Sequence, residues 1–260
     1  MARQAAKNSP LRVFLAIEET THFHPEFVEG IVRNTTDIIV GAALVVWTPP
    51  QADLNRYLLR HWYQLRPLEA IQLVWRTYTS KRNPNTPDVR NVLEKYEIPI
   101  FEVTEDINSP HYIDRIRELQ PDVILSSQAH IFGTDLIAVP RLCCLNRHAS
   151  LLPAYGGLWA PFHAYCCGES ETGVTIHTTT TELDQGIPLV QRAVPCLDTD
   201  TLLSLYTKCF QESIGAVTEA LDKVRNGDFS PCPINRPASY FSYPTRAQWR
   251  SFRSRGGRLI

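Results

Sequence analysis

An α/β fold of the Rossmann-like type, with a mostly parallel twisted sheet and helices on both faces, is predicted by two features of the sequence. Short apolar runs rich in β-branched residues alternate with segments whose apolar residues recur at helical spacing. The opening order of strand, helix and strand is typical of a doubly wound sheet. With 260 residues, 43% of them hydrophobic, the chain can form one large core.

The first half of the chain contains four predicted strands, each a short apolar run of the buried type. They lie at residues 11–17, 38–47, 98–103 and 123–126. Helical spacing predicts helices at residues 25–32, 89–96 and 112–119, and one or two amphipathic helices over 53–78, interrupted at Pro67. A polar loop is expected at residues 81–87. The loop after the first strand has no glycine, which argues against a phosphate cradle there.

The second half continues the alternation and ends in a tail. A short helix is predicted at residues 135–140, strands at 142–146, 172–179 and 188–195, and a long helix at 201–224. Asp198, Thr199 or Asp200 could cap that helix, and Asn226-Gly227 stops it. We expect one domain over residues 11–227, with a tail over 228–260 that wraps it with its aromatic residues buried. The alternative is a tail whose arginines contact a membrane surface or an acidic partner.

Composition excludes several classes of partner. A net charge of −1 gives no general attraction to phosphate backbones, so no nucleic-acid partner is expected. The seven cysteines form no Cys-x-x-Cys pair, which disfavours a zinc site or a disulfide framework; no metal is expected, and the thiols should be reduced and mostly buried. No apolar run is long enough for a membrane span, and the start resembles no secretory signal. We therefore expect a cytoplasmic protein.

The most informative segment is Asn146-Arg147-His148-Ala149-Ser150-Leu151-Leu152-Pro153, followed by Leu183-Asp184-Gln185-Gly186. Asn146 offers a neutral donor for a developing oxyanion, His148 can carry a proton, and Asp184 can orient an imidazole. Because Asn146 and His148 lie two apart at a strand end, their side chains should point to the same side. The combination indicates acyl transfer. Leu152–Pro153 is a candidate cis peptide bond.

These motifs resemble the formyltransferases that use 10-formyltetrahydrofolate, the family of glycinamide ribonucleotide and methionyl-tRNA formyltransferases. The family pattern is Asn-x-His-x-Ser-Leu-Leu-Pro with a later Leu-Asp-x-Gly, and the chain carries it in full. The resemblance implies the formyltransferase fold and formyl transfer from 10-formyltetrahydrofolate to a primary amine through a tetrahedral intermediate. Asn146 and a protonated His148 would bind the oxyanion, while Asp184 would keep His148 charged and assist proton transfer.

The resemblance also implies binding residues for both substrates. Folate contacts are expected in two loops, at Gln128, Ala129, His130, Ile131, Phe132, Thr179, Thr180 and Thr181. Acceptor contacts are expected at Ser150, Tyr155, Gly156, Gly157, Trp159 and His163. Packing is an equal alternative for Trp159, and Ser150 is expected to hydrogen-bond locally and stiffen its loop. His130 could also act as a second acid or base, although a polar loop residue is the favoured interpretation.

Several acceptors and activities stay open. Initiator tRNA is disfavoured because the family's basic β-barrel cannot fit after residue 224, and glycinamide ribonucleotide because its glycine loop is missing. A small-molecule amine, of the aminosugar or amino-acid type, is the favoured acceptor. The alternatives are methionyl-tRNA formyltransferase-like activity, hydrolysis of the formylfolate, and a folate-binding protein without catalysis. A homodimer could form through the apolar helices over residues 53–78.

Overall fold

A seven-stranded sheet forms the centre of the computed structural model, which describes residues 9–20, 22–46, 62–82, 87–128, 130–233 and 235–260. The strands are β1 Arg12–Glu18, β2 Ile38–Val45, β3 Ile100–Val103, β4 Val123–Ser127, β5 Cys143–His148, β6 Gly156–Gly157, β7 Glu171–Thr178, β8 Pro188–Pro195 and β9 Tyr240–Phe241. The sheet order is β3-β2-β1-β4-β5-β7-β8. The first five strands are parallel, whereas β7 is antiparallel to both β5 and β8.

Helices cover both faces of this sheet, as the alternation of elements predicted. They are α1 Phe23–Asn34, α2 Pro67–Arg82, α3 Val89–Lys95, α4 Pro110–Glu118, α5 Thr134–Ile137, α6 Ala160–Cys167, α7 Leu202–Arg225 and α8 Arg246–Ser254. Leu15 on β1 packs in the core layer that includes α1, α3 and α7, and its neighbour Phe14 packs in the layer with α4. Successive side chains of a strand point to opposite faces, so apolar residues at every position make both faces buried.

Within the described residues, the elements predicted outside residues 53–87 are confirmed in order, whereas α6 and the two-residue strands β6 and β9 were not predicted. The long helix is capped by Thr201, whose hydroxyl accepts from the Ser204 amide at 3.1 Å, and not by residues 198–200. Asp200 instead pairs with Lys208 at 2.7 Å. Helix α6 was not predicted, because almost all of its residues are buried and the sequence therefore lacks a one-sided apolar pattern.

The segment predicted as one or two amphipathic helices over residues 53–78 is described only in part. Residues 53–61 lie outside the described residues, as do residue 47 of the second predicted strand and residues 83–86 of the predicted loop. The loop prediction is wrong at residues 81–82, which belong to α2. A short 3₁₀ turn at Trp62–Gln64 leads into α2, which begins at Pro67 as the interruption predicted. Its residues Leu68, Ile71 and Val74 are exposed, so this helix presents an apolar face.

The tail packs against the domain through α8. Trp249 and Phe252 are buried and contact Phe162 of α6, as expected for buried tail aromatics, although Tyr240 and Tyr243 are exposed. The arginines on which the membrane or acidic-partner alternative rested are partly used within the chain: Arg253 donates to Glu69 at 2.6 Å and Arg258 to the Thr199 carbonyl at 2.6 Å. No helix of the described segments is both long and apolar enough to cross a bilayer.

Candidate active site

The carboxyl end of β5 presents the predicted catalytic side chains to one cavity. Asn146 and His148 both line a cavity of about 340 Å³, together with His177 and Asp184. Strand β7 pairs with β5 so that His177 lies opposite Asn146 in the register. The two-residue spacing predicted that Asn146 and His148 would share a side, and the structure confirms it.

Asp184 is the acid of this group, and the backbone around it fixes its position. Its Oδ2 accepts a hydrogen bond from the Gly157 amide at 2.7 Å. Its Oδ1 lies 3.5 Å from His148 Nδ1 and 3.8 Å from His177 Nε2. Asp184 has a φ of 55°, a left-handed conformation that aspartate tolerates better than most residues. The carboxylate therefore faces both imidazole rings while one of its oxygens is held by the loop.

His148 is oriented by the loop that follows β5. Its Nε2 lies 3.0 Å from the Tyr155 carbonyl, which can only accept, so Nε2 carries hydrogen and donates. Nδ1 is then the ring nitrogen that faces Asp184 and the cavity. The loop turns at a cis Leu152–Pro153 bond, as predicted. His148 Nδ1 lies 3.5 Å from Asp184 Oδ1, a separation of the kind that often shortens in active sites when substrate binds.

His177 is a member of the site that the motifs did not reveal. Its Nδ1 donates to the Thr178 carbonyl at 2.9 Å, and burial, followed by the charge of His148, lowers the pKa of His177 to about 4. The ring is therefore neutral and its Nε2 is an acceptor, which takes one hydrogen of the Asn146 amide at 3.2 Å. This bond fixes which way the amide points and leaves its second N–H for the cavity.

Replacing His177 with Ala is expected to lower kcat by about 10-fold, the scale of one hydrogen bond that orients a catalytic group. The KM values should change little, because the ring fixes the Asn146 amide without replacing a binding group. Steady-state kinetics of formyl transfer, with His111→Ala as a matched control on the surface of α4, provides the measurement. An unchanged kcat in the variant would show that Asn146 holds its orientation without His177.

The predicted folate residues mostly surround the same cavity. Those that line it are Gln128, His130, Ile131, Phe132, Thr179 and Thr180. Thr181 is exposed and does not line it, and Ala129 lies outside the described residues. The Thr179 hydroxyl is buried and has no hydrogen-bond partner among the residues that the structure describes, a partner that a polar ring edge would supply. With exposed Ile131 and Leu183 at its rim, the cavity fits a flat heterocycle that has both polar edges and apolar faces.

Most of the predicted acceptor residues have structural roles instead. Ser150 is fully buried and donates to the Ala154 carbonyl at 2.7 Å, the local bond that was expected, so it cannot touch a substrate. Tyr155 donates its hydroxyl to Glu169 at 2.8 Å. Trp159 packs edge-on against Phe162 and Trp249, which supports the packing alternative.

Gly156, Gly157 and His163 are the other three residues predicted to contact the acceptor. Gly156 and Gly157 pair with β9 of the tail, and only Gly157 lines the catalytic cavity. His163 is buried, stacks on Phe241 and bonds to the Ser242 carbonyl at 3.0 Å. The partners of Gly156 and His163 belong to the distant tail, which the local sequence does not reveal, and contact of these residues with an acceptor stays a prediction.

Gly186, two residues after the catalytic carboxylate, leaves no room for a side chain. A Cβ there would lie 1.4 Å from the Thr178 carbonyl oxygen. We expect Gly186→Ala to displace the loop that carries Asp184, reducing kcat by about 10²-fold, on the scale of a lost proton-transfer group. Gly215→Ala, on α7, is a matched control, because a Cβ there meets only the flexible end of the Arg192 side chain. Activity retained in Gly186→Ala would mean that the loop tolerates the shift.

Possible metal ligands and cysteine thiols are the other reactive groups of the chain. The part of the chain that the structure describes holds no cluster of three or more His, Cys, Asp or Glu side chains suited to a metal ion. All seven thiols are free, and burial raises the pKa of Cys143 to about 12 and that of Cys196 to about 11. Thiols with pKa values this high are poor nucleophiles.

A search of protein families matches residues 76–221 to the family described as Formyl transferase. Among curated proteins, a methionyl-tRNA formyltransferase of Chlorobium phaeovibrioides is 32% identical over 166 residues, which are 62% of this chain and 51% of that protein. The chain thus spans about half the length of the curated relatives it matches.

Solved structures share the fold at low sequence identity. Phosphoribosylglycinamide formyltransferase from Anaplasma phagocytophilum has a TM-score of 0.61 and 20% identity, covering 91% of this chain and 100% of that one. WlaRD, described as a sugar 3N-formyl transferase in the presence of dTDP and 5-N-formyl-THF, has a TM-score of 0.59 and 16% identity, covering 90% of this chain and 70% of that one. At these identities the likeness is one of fold.

Proposed function

The chain belongs to the formyl transferase family, and from that premise we propose that it transfers a formyl group from 10-formyltetrahydrofolate to a primary amine of a small molecule. The observation that supports this most is the convergence of Asn146, His148 and Asp184 on one cavity, with Asp184 Oδ1 3.5 Å from His148 Nδ1. The cavity also carries the Thr179 hydroxyl, which no other described residue bonds, beside apolar walls, a lining that suits a pteridine ring.

The chemistry follows from the three side chains. The amine nitrogen forms a bond to the formyl carbon, the bond from that carbon to the folate nitrogen breaks, and one proton moves from the amine to the folate nitrogen. While the carbon is tetrahedral its oxygen is negative. The free N–H of Asn146 would donate a hydrogen bond to it, and the His148 imidazolium, whose two N–H groups face the Tyr155 carbonyl and Asp184, would stabilise it through its positive charge. Asp184 would hold His148 through Nδ1 and accept the amine proton, directly or through water.

A small-molecule acceptor is supported by the way the tail is used. Because Arg253 and Arg258 are bonded within the chain, the tail offers fewer free cations to a nucleic acid than its composition suggests. Methionyl-tRNA is the second candidate acceptor, because the curated relatives at 32% and 34% identity are named methionyl-tRNA formyltransferases. Solved structures that share the fold include enzymes named for sugar amines.

The test is incubation of the protein with 10-formyltetrahydrofolate in three arms: a panel of aminosugars and amino acids, methionyl-tRNA, and no acceptor. Formation of a formylated small amine, followed by mass spectrometry, is the expected result. Turnover without acceptor would instead indicate a formylfolate hydrolase, and turnover restricted to the tRNA arm would replace the small-molecule proposal. Binding of the folate with no turnover in any arm would reduce the protein to a folate-binding role.

Two further expectations stay predictions. The apolar face of α2, with Leu68, Ile71 and Val74 exposed, is the surface where a homodimer would form. We also expect the protein to act in the cytoplasm. Light scattering and cell fractionation measure these two properties independently of activity.

A further inference from the structure

A second cavity, of about 490 Å³, adjoins the catalytic one and was not predicted from the sequence. Its lining includes Glu18, Thr20, His24, Arg147, Tyr206 and Phe210. Gln128, Arg147 and Leu158 line both cavities, so a molecule in the second could extend an amine to the first. A volume in this range suits a small organic molecule.

Arg147 is the charged group of this cavity. It lies between Asn146 and His148 on β5, so its side chain projects to the other face of the strand. There the guanidinium stacks 3.8 Å from the Phe210 ring centre, and its Nε donates to the Ser127 hydroxyl at 3.0 Å. Nη1 is buried and has no partner among the described residues. Burial lowers the pKa of Arg147 to about 10, which leaves it cationic at neutral pH.

The side chains that support Arg147 are neutral. His24 Nε2 lies 3.1 Å from the Ser127 carbonyl, to which it donates, and its Nδ1 accepts from the Thr20 hydroxyl at 3.1 Å. Burial, followed by the charge of Arg147, lowers the pKa of His24 to about 3. The histidine therefore adds no second positive charge, and its contacts hold Ser127, which in turn positions the guanidinium.

Glu18 places a carboxyl group in the same cavity. Burial raises its pKa, and the nearby Arg147 works against that rise. The cavity thus offers a fixed cation with an unused donor, and a carboxyl group that can hydrogen-bond to a polar group of the ligand other than the amine that is formylated. An acid group on the ligand matches the cation, while the reacting amine extends toward the catalytic cavity.

We propose that this second cavity holds the acceptor and that the acceptor is a primary amine that also carries an acid group, carboxylate or phosphate, paired with Arg147. The inference rests on the proposed function and narrows its acceptor from amines in general to amino acids and amino phosphates. A neutral aminosugar would leave the buried Nη1 without a hydrogen bond, which costs free energy of binding. An acid group on the acceptor would supply that bond and remove the cost. The amine end would reach the catalytic cavity along Gln128 and Leu158.

The first test compares matched acceptors. Amino acids and amino phosphates are assayed beside the corresponding amides or alcohols, in which the amine is kept and the charge is removed. The native protein should prefer the acids by about 30-fold or more in kcat/KM, the effect of pairing a buried charge. Arg147→Met should abolish this preference, mainly through KM, and Arg147→Lys should restore part of it. Arg250→Met, at an exposed arginine of α8, is the matched control.

The second test does not depend on turnover. Acetate and inorganic phosphate are titrated into the native protein, Arg147→Met and Arg250→Met while thermal stability is followed. Stabilisation of the native and Arg250→Met proteins, absent in Arg147→Met, is expected, and the stronger of the two anions identifies the acid group. Should Arg147→Met fail to fold, Arg147→Lys takes its place, with a weaker response expected.

The outcomes separate this inference from the proposed function. Transfer to amides and alcohols as fast as to acids would overturn the acid-bearing acceptor and leave formyl transfer standing. Anion binding that depends on Arg147, with no formyl transfer to any amine, would retain the anion site and reject the function. Equal anion effects on the native protein and Arg147→Met would overturn the site itself.

Discussion

Replacing Asp184 with Asn is expected to lower kcat by about 10²–10⁴-fold, the range for loss of a positioned proton-transfer group. The variant keeps an oxygen that can accept from the Gly157 amide, so the loop should hold its shape. It loses the negative charge that lies 3.5 Å from His148 Nδ1, and with it the group that can take the amine proton. Binding of either substrate should change far less than turnover.

Steady-state kinetics and thermal unfolding together measure the effect of Asp184→Asn. Asp135→Asn, at an exposed position at the start of α5, is the matched control and should behave as the native protein. A loss of less than about 10-fold in kcat, with thermal stability unchanged, would contradict the assignment of Asp184 to proton transfer.

Replacing Asn146 with Asp is the second change with a large expected effect. It removes the N–H aimed at the cavity and puts a carboxylate where negative charge develops on the reacting oxygen. Loss of one oxyanion donor costs about 10²–10³-fold in kcat, and the added charge should bring the loss to the upper end. Because His177 Nε2 accepts from the amide at 3.2 Å, the variant also leaves that nitrogen without its donor.

The measurement is again kcat at saturating concentrations of both substrates. Asn34→Asp, on the exposed end of α1, is the control. The double variant of Asn146 and Asp184 should be little slower than the slower single variant, because residues that act together on one intermediate give non-additive losses. Additive losses would indicate that the two side chains act on separate steps.

The order of the elements could be predicted because strands and helices each leave a local pattern. Leu15 and its neighbours form a continuous apolar run, and α1 and α7 have apolar residues at helical spacing. Helix α6 left no such pattern, since it is buried on nearly all sides. Motifs were enough to propose the carboxamide, imidazole and carboxylate of the candidate site, but how these groups converge depends on the pairing of β5 with β7.

The rest of the site depends on contacts between distant segments. His177 becomes a site residue only because the register of two antiparallel strands sets it opposite Asn146. Because side chains alternate along β5, the sequence could have indicated that Arg147 faces away from Asn146 and His148. It could not indicate that Arg147 contacts Phe210 and Ser127 on that side. Likewise His163 was expected to border the acceptor because it follows the Pro153 turn, and its bond to the Ser242 carbonyl could not be predicted because Ser242 belongs to the tail.

The pairing of Gly156 and Gly157 with the tail strand β9 makes the end of the chain a support of the reaction centre. Ser239 accepts from the Tyr155 amide across 84 positions, while the Tyr155 carbonyl orients His148 and the Gly157 amide holds Asp184. Proteolytic removal of the tail, or insertion of a tag beside Ser239, is therefore expected to inactivate the protein although the motifs at residues 146–153 and 183–186 are intact. By the same route, substitutions in the tail could change turnover during evolution without any substitution in those motifs.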